Sequence, residues 1–418
     1  MADVARRVST SALGDHTLGE RVAELRRRAG MSQKDLATAV SRSESWVSQV
    51  ERDVRPVERV SVLQLLADAL GTSVRDLRPD AAGALKRSAT EAPPELAGLT
   101  RAVTGPPGLA GLLGTTETGH RTLDELRTTV DEAWRLTQAP TLARLDALLA
   151  PLVTDLENAM REARGRRRAQ VAGLLASAYQ AAAAAFARQD APDAAWVAAD
   201  RANRWAEEAG DPLAVVAGGL RMGQVFLTLE IFSQAEYVAT TAVAALKPLV
   251  DANDCPTQAL ALYGAMHLLL ADVYARLGDR AATRTSIAGA RSVAAIIGSD
   301  RDDYNTGFGP TDVELRAVST AVELGDAGEA IELAAAIDAS WLSPERQSRL
   351  AIDLARAHVQ RRRVDEAIAA LMDAERLAPE QLQTNALARG AVEDLLGLVG
   401  ARRATPALRD LAHKVGAV

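Results

Sequence analysis

Helix-breaking residues recur at similar intervals through the C-terminal half of this chain of 418 residues. From Thr122 onward, Ala- and Leu-rich stretches with apolar residues at helical spacing alternate with short breaks. Five breaks lie where one helix would turn back onto the next, at Gln189, Glu230, Gly278, Gly325 and Arg362. Their separations of 41, 48, 47 and 37 residues fall close to the periods of helical-hairpin repeats. The pattern predicts a solenoid of stacked helical hairpins.

Small residues accompany these breaks at constant offsets. One lies seven residues before four of the breaks (Ala182, Gly223, Ala271 and Ala355), and another lies five residues after each break (Ala194, Ala235, Thr283, Ala330 and Ala367). Small side chains at such positions let two antiparallel helices approach closely. The arrangement, clearest over residues 348–379, resembles the tetratricopeptide repeat. The resemblance implies a superhelix in which the first helix of each hairpin lines a concave face.

Composition also favours helix over strand. Hydrophobic residues make up 48% of the chain and aromatic residues only 3%, and Ala and Leu are strong helix formers. We therefore expect an all-α fold. The single cysteine, Cys255, excludes an internal disulfide. Residues 1–16 hold no apolar stretch, and no run of about 20 apolar residues follows, so we expect a cytoplasmic protein without a membrane span.

The first eighty residues predict a small helical bundle of a different kind. Ser32 is a candidate N-cap with Asp35 in the capping-box position, and its helix runs to about Val40. After a short turn, Ser43 can cap a second helix that continues to about Arg52. Two short helices joined by a tight turn inside a bundle form a helix-turn-helix, the geometry that places one helix in the major groove of DNA.

Two segments carry a resemblance to a known family. GMSQKDLATAVSRSESWVSQVER at residues 30–52 and LQLLADALGTSVRDL at residues 63–77 resemble the Cro/repressor-type (XRE-like) helix-turn-helix family. In that fold the outward residues of the second helix read bases, and here they are Glu44, Ser45, Ser48 and Gln49. The candidates for phosphate contacts near the helix ends are Gln33, Arg42, Ser43, Arg52, Arg55 and Arg59. We expect Trp46 to pack beneath the second helix.

Proline and glycine residues separate the two predicted domains. Pro93-Pro94, Pro106-Pro107 and six glycines lie within residues 81–115 without a periodic apolar pattern, which indicates a linker. The predicted division is a DNA-binding domain at 17–80, a linker at 81–120 and a helical repeat domain at 121–418. Within the last domain, the helices from Gln381 onward are expected to form a cap or a dimer surface.

The predicted repeat register places ten side chains on the concave face. They come from the first helices of successive hairpins: Tyr179, Phe186, Gln224, Thr228, Asp272, Arg276, Ser319, Glu323, Arg356 and Gln360. A mixed polar groove with two aromatic side chains suits a peptide or a small molecule. The loop from Asp300 to Pro310, with Tyr304, Asn305 and Phe308, either folds over this groove or forms a disordered connection.

The order of the two domains favours a regulatory function. A helix-turn-helix followed by a tetratricopeptide-like domain resembles Gram-positive regulators in which a signalling peptide, bound in the repeat groove, changes DNA binding. The resemblance implies a cytoplasmic transcription regulator that binds double-stranded DNA, forms a homodimer and senses a peptide or small-molecule signal, as in quorum sensing. The alternative is a scaffold whose solenoid binds a partner protein, with DNA binding serving localisation.

The sequence contains no recognisable catalytic or cofactor-binding motif. It has no Walker pattern, no G-x-S-x-G and no H-E-x-x-H, and Gly307-Phe308-Gly309 lacks a third glycine. The five histidines are scattered, which argues against a metal site. We therefore expect a protein that is not an enzyme and that uses no cofactor or metal.

Overall fold

The computed structural model describes residues 17–40, 42, 44–54, 57, 60–72, 77, 94–105, 121–137, 142–189, 191–400 and 403–417. Within these residues the regular secondary structure is helical, and the only β-type pairing is an isolated antiparallel bridge between Arg301 and Phe308. The predicted all-α fold class is confirmed. An N-terminal helix-turn-helix bundle precedes a solenoid of helical hairpins.

Four helices form the N-terminal bundle, hereafter the head: α1 (Leu18–Arg28), α2 (Gln33–Ala39), α3 (Glu44–Glu51) and α4 (Val60–Leu70). Ser32 caps α2, and Asp35 completes the predicted capping box. Thr17 and Glu20 form a second capping box at α1. Apolar residues at helical spacing meet in one core, whose fully buried members include Val22, Leu36, Val47, Leu63 and Leu66. The caps and this core hold α2 and α3 in a helix-turn-helix.

Part of the predicted linker is helical, which corrects the sequence analysis. A 3₁₀ turn at Pro94–Leu96 leads into α5 (Ala97–Thr104). Three apolar residues of this segment are fully buried against the solenoid: Leu96, Leu99 and Val103. The Leu99 amide also donates to Asp146 Oδ1 at 2.6 Å. These three residues are spaced by three and four positions, which is typical of a helix. The surrounding prolines and glycines instead favour a linker.

The solenoid begins with α6 (Leu123–Thr137), α7 (Leu142–Glu162), α8 (Gly165–Arg188), α9 (Pro192–Ala209), α10 (Pro212–Thr228), α11 (Phe232–Val250), α12 (Thr257–Leu277) and α13 (Arg280–Ile297). It continues with α14 (Pro310–Glu323), α15 (Ala327–Ala335), α16 (Pro344–Gln360), α17 (Val364–Leu377), α18 (Pro379–Thr384), α19 (Ala386–Val399) and α20 (Pro406–Val415). The predicted hairpins are the packed pairs α8–α9, α10–α11, α12–α13, α14–α15 and α16–α17.

The hairpin turns lie where the sequence predicts them. Gln189 ends α8, and the other four turn residues adopt a left-handed backbone: Glu230, Gly278, Gly325 and Arg362, with φ of 59°, 76°, 79° and 57°. Glycine adopts this conformation without steric cost. The small residues five positions after each turn are buried between the helices, as the offsets predict: Ala194, Ala235, Thr283, Ala330 and Ala367.

Helix α12 is a core element of the stack. Among the described helices it alone is long and apolar enough to cross a membrane, but 67% of that stretch is buried inside the fold. A Cβ at Gly264 would collide with the buried ring of Phe308. The apolar character of α12 is therefore accounted for by burial between neighbouring hairpins.

Candidate DNA interface and ligand groove

A largely buried ion pair fixes the helix-turn-helix from inside the head. Arg26 Nε donates to Glu51 Oε1 at 2.5 Å, and Nη2 donates to Oε2 at 3.1 Å. Gln33, at the start of α2, donates to the same carboxylate at 2.7 Å. Glu51 thus ties α1, α2 and α3 together. The sequence does not signal this role, because Arg26 also suits the C-terminus of α1, where cations are favourable.

Asp53 connects the end of α3 to the start of α1. Its backbone is left-handed, with φ of 53°. Its carboxylate accepts hydrogen bonds from the Thr17 hydroxyl and, at 2.8 Å, from the Gly19 amide. A Cβ at Gly19 would meet the Val50 carbonyl and Asp53, so glycine permits this close approach. The two links position α3 relative to α1.

The predicted base-reading residues have different environments. Glu44 and Ser45 are exposed, and Ser48 is half-buried. Gln49 is only 4% exposed, because the solenoid covers its side chain. Its Nε2 donates to the Leu324 carbonyl at 2.5 Å. In this arrangement Gln49 is held away from any base.

Arg42, a predicted phosphate contact, also lies against the solenoid. Its guanidinium carbon is 4.3 Å from the centroid of the Phe232 ring and 5.6 Å from that of Trp46. The pKa of Arg42 is lowered by burial and by the charge of Arg276, while Glu230 opposes this shift. Trp46 itself is buried in the head core, as predicted. Arg42 therefore bridges the two parts of the chain.

The remaining phosphate candidates divide into three groups. Gln33 is engaged by Glu51. Arg52 is exposed, and its Nε donates to the Ser48 carbonyl of its own helix at 3.1 Å. The others, Ser43, Arg55 and Arg59, lie outside the described residues. Of the described candidates, Arg52 is the one that points a cation into solvent.

Four of the predicted groove residues belong to a cluster of ion pairs. Glu323 of α14 pairs with Arg276 of α12 at 3.2 Å and with Arg356 of α16 at 3.0 Å. Asp272 of α12 pairs with Arg316, which the sequence analysis did not single out. Burial raises the pKa of Asp272, although the neighbouring arginines lower it. The first helices of three successive hairpins therefore present linked charges to one another.

The other polar groove candidates are hydrogen-bonded or partly covered. Gln224 Oε1 accepts from Arg221 at 3.0 Å, and the Thr228 hydroxyl donates to the Gln224 carbonyl at 3.1 Å. Gln360 donates to a backbone carbonyl of α14 at 2.9 Å, and Ser319 is half-buried. The described part of the chain holds no group of three or more His, Cys, Asp or Glu side chains arranged to bind a metal.

Tyr179 and Phe186 do not line a groove, which corrects the predicted register at the first hairpin. Both side chains are fully buried in a core that includes residues of α5, α6 and α7. The Tyr179 hydroxyl donates to Glu157 at 2.5 Å and accepts from Arg201 at 3.1 Å. The helices that precede α8 pack on this hairpin and bury its first helix. The predicted register begins at this hairpin and therefore treats that helix as exposed.

The loop between α13 and α14 packs against α10, the helix that carries the predicted groove residues Gln224 and Thr228. The Tyr304 hydroxyl donates to Asp211 Oδ2 at 3.0 Å. The Asn305 carbonyl accepts a hydrogen bond from Arg221. Phe308 is fully buried. The loop thus connects the start of the fourth hairpin to the second hairpin.

Arg221 of α10 is a buried cation at the point where this loop meets the second hairpin. Its guanidinium carbon lies 5.3 Å from the centroid of the Trp134 ring, and burial lowers its pKa to about 10. Its Nε is buried without a hydrogen-bond partner. A buried guanidinium with an unused N–H favours a carbonyl or carboxylate oxygen. No sequence signal marked this arginine, because it lies inside an otherwise ordinary apolar helix.

Comparison with known proteins identifies the head. A family model described as a helix-turn-helix domain matches residues 17–81, so the N-terminal part of the chain is a helix-turn-helix domain, a motif that binds DNA. No curated protein matches the chain. Similar solved structures include a PrgX mutant, 12% identical with a TM-score of 0.24, covering 96% of this chain and 100% of that one. A PrgX/iCF10 complex is 13% identical with a TM-score of 0.25, covering 96% of this chain and 94% of that one.

Proposed function

We propose that this chain is a sequence-specific DNA-binding transcription regulator of the Cro/repressor type, which acts as a homodimer in the cytoplasm. The observation that carries the proposal is the α2–α3 pair, in which Ser32 caps α2 and in which Glu44 and Ser45 are exposed at the start of α3. In this motif the N-terminal residues of the second helix contact base edges. Arg52, exposed just after α3, is available for a phosphate.

We further propose a division into a DNA-binding domain at residues 17–80 and a sensing domain that includes α5 and the solenoid. The sensing domain is assigned to the tetratricopeptide-like class. Buried small residues at fixed offsets from the turns support this assignment, and Gly223 is an example: a Cβ there would collide with Leu269 of α12. Close helix approach at these positions is what stacks hairpins into a superhelix.

The proposed signal is a peptide or small molecule bound in the groove. Support comes from Tyr304–Asn305, a segment of the chain itself that packs on α10, with its tyrosine hydroxyl on Asp211 and a backbone carbonyl on Arg221. A surface that binds main-chain carbonyls in this way suits a peptide. Ligand binding then favours one arrangement of head and solenoid over another.

Selection of duplexes from a random pool, followed by fluorescence anisotropy with the full chain, tests the DNA-binding proposal. We expect tighter binding to the selected duplex than to a scrambled one. Gln49→Ala should reduce this discrimination by about 1–3 kcal/mol, because a base contact is lost. Gln234→Ala, an exposed glutamine on α11, is the matched control. Equal affinity of the wild type for both duplexes at low and high salt contradicts the proposal.

A further inference from the structure

One surface of the solenoid faces helix α3 and Arg42, which precedes it. This surface, the turn ridge, consists of the hairpin turns at residues 230–232, 324–326 and 360–361. We infer that the turn ridge is a docking surface for α3, and that docking keeps the head from binding DNA. The inference rests on the proposed DNA-binding function and adds a site of regulation to it.

The first contact occupies a residue assigned to base reading. Gln49 Nε2 donates to the Leu324 carbonyl at 2.5 Å, and the side chain is almost fully covered. The same amide group cannot serve this carbonyl and the edge of an adenine at once. Docking on the turn ridge and base reading by Gln49 therefore exclude each other.

The second contact occupies a residue assigned to a phosphate. The Arg42 guanidinium lies over the face of Phe232, and the carboxylate of Glu230 is near enough to attract it. An aromatic face and a carboxylate both stabilise a cation at such a site. A DNA phosphate that binds Arg42 has to replace both of these solenoid partners.

The third contact is a close approach between the head and the glycine at position 325. Gly325 has a φ of 79°, and a Cβ at this position would lie 3.0 Å from Val54 Cγ1 of the head. The residue that turns α14 into α15 is therefore also a point of close approach between head and solenoid. This contact joins the segment after α3 to the same turn that receives Gln49.

The docked interface is not filled like a protein core. A cleft of about 560 Å³ that opens to solvent lies between the head and the turn ridge, with Gln49, Arg52, Gln360 and Arg361 in its lining. The Oε1 atoms of Gln49 and Gln360 are buried without hydrogen-bond partners. Permanent interfaces are close-packed and pair their buried polar groups. A contact that borders a solvent-open cleft and leaves amide oxygens unpaired is therefore one that opens at low cost.

Glu230→Arg tests the docking without altering the head, because it replaces an attraction for Arg42 with a repulsion. Glu393→Arg, the same change at an exposed site on α19, is the control. The readout is hydrogen exchange of residues 44–51 in the full chain without DNA. We expect exchange about tenfold faster in Glu230→Arg and unchanged in Glu393→Arg. Equal exchange in the wild type and Glu230→Arg overturns the docking.

Phe232→Leu provides a second variant that keeps an apolar side chain at the site. It removes the ring face beneath Arg42, so we expect exchange in residues 44–51 to rise about threefold. Leucine preserves most of the buried apolar volume, so α11 should stay folded. Faster exchange in this variant can therefore be attributed to loss of the Arg42 contact. No change in exchange with Phe232→Leu counts against the Arg42 contact.

DNA binding by the same proteins separates the inference from the proposed function. Docking opposes binding to every duplex equally, so Glu230→Arg should bind selected and scrambled duplexes about tenfold more tightly with an unchanged ratio. Faster exchange without tighter DNA binding overturns the inhibitory role of docking. A different outcome overturns the proposed sequence-specific function. In that outcome hydrogen exchange responds as expected, but no variant prefers the selected duplex over the scrambled one.

Discussion

The Tyr304 hydroxyl lies 3.0 Å from Asp211 Oδ2 and joins the loop before α14 to the N-cap of α10. The Asp211 carboxylate also accepts hydrogen bonds from the Leu213 and Ala214 amides. One side chain thus caps a helix and holds a distant loop against α10.

Tyr304→Phe removes the hydroxyl and keeps the ring. We expect the free energy of unfolding to fall by about 1 kcal/mol and the amides of residues 303–307 to exchange faster. Burial and the nearby Asp211 raise the pKa of Tyr304 to about 12, so the variant should also lose one late-titrating tyrosine in alkaline absorbance titration. Tyr237→Phe, at a 66% exposed tyrosine, is the control. Identical exchange in both variants means that this bond does not hold the loop.

Gly264→Ala should destabilise the solenoid, because its new methyl group collides with the Phe308 ring. Overpacking of this kind costs about 1–3 kcal/mol. Gly397→Ala is the matched control, since nothing lies within 4 Å of a Cβ there and the residue is also helical. We expect it to stabilise by about 0.5–1 kcal/mol. Urea unfolding measures both, and a stabilised Gly264→Ala contradicts the close contact.

Glu51→Gln should weaken the head selectively. The change leaves Arg26 without its carboxylate in a mostly buried site, at an expected cost of about 1–3 kcal/mol. Glu24→Gln removes only the more exposed pairs with Arg27 and Arg28, and we expect a loss below about 1 kcal/mol. Hydrogen exchange of α1 to α3 measures the difference. Equal protection in the two variants is the outcome that argues against the central position of Glu51.

Arg52→Ala should weaken binding to all duplexes alike. Loss of one phosphate contact lowers the slope of log affinity against log salt by about 0.9. The ratio of affinities for selected and scrambled duplexes should stay constant. Arg27→Ala, on the exposed side of α1, should leave the slope unchanged. A constant slope with Arg52→Ala removes this residue from the interface.

The parts of the fold that local chemistry specifies could be read from the sequence. Gly278 and Gly325 mark turns because glycine tolerates a left-handed backbone, and Ala235 and Ala367 mark helix crossings because they are small. Ser32 is recognisable as an N-cap because Asp35, three residues later, completes a capping box with it. Such signals depend on residues only a few positions apart, so they can be recognised in one sequence.

The errors concern contacts between distant segments. Tyr179 is buried because α5 to α7 pack on the first hairpin. The sequence of its own helix does not indicate that these helices pack there. Gln49 is docked on Leu324, 275 residues away, and Arg221 meets a loop 84 residues away. Patterns of hydrophobicity predict which face of a helix is buried but leave open which distant element buries it.

The packing of α5 on the solenoid also sets how far the head can travel. Residues 78–93 are the only covalent connection between Leu77 and Pro94, and sixteen residues span at most about 55 Å when fully extended. A released head therefore remains within about 55 Å of its anchor, where its local concentration at the turn ridge is on the order of millimolar. DNA has to compete with a binding site that is always nearby. In the proposed regulator, the length of residues 78–93, as much as the strength of any contact, thus sets the concentration of DNA needed to capture the head.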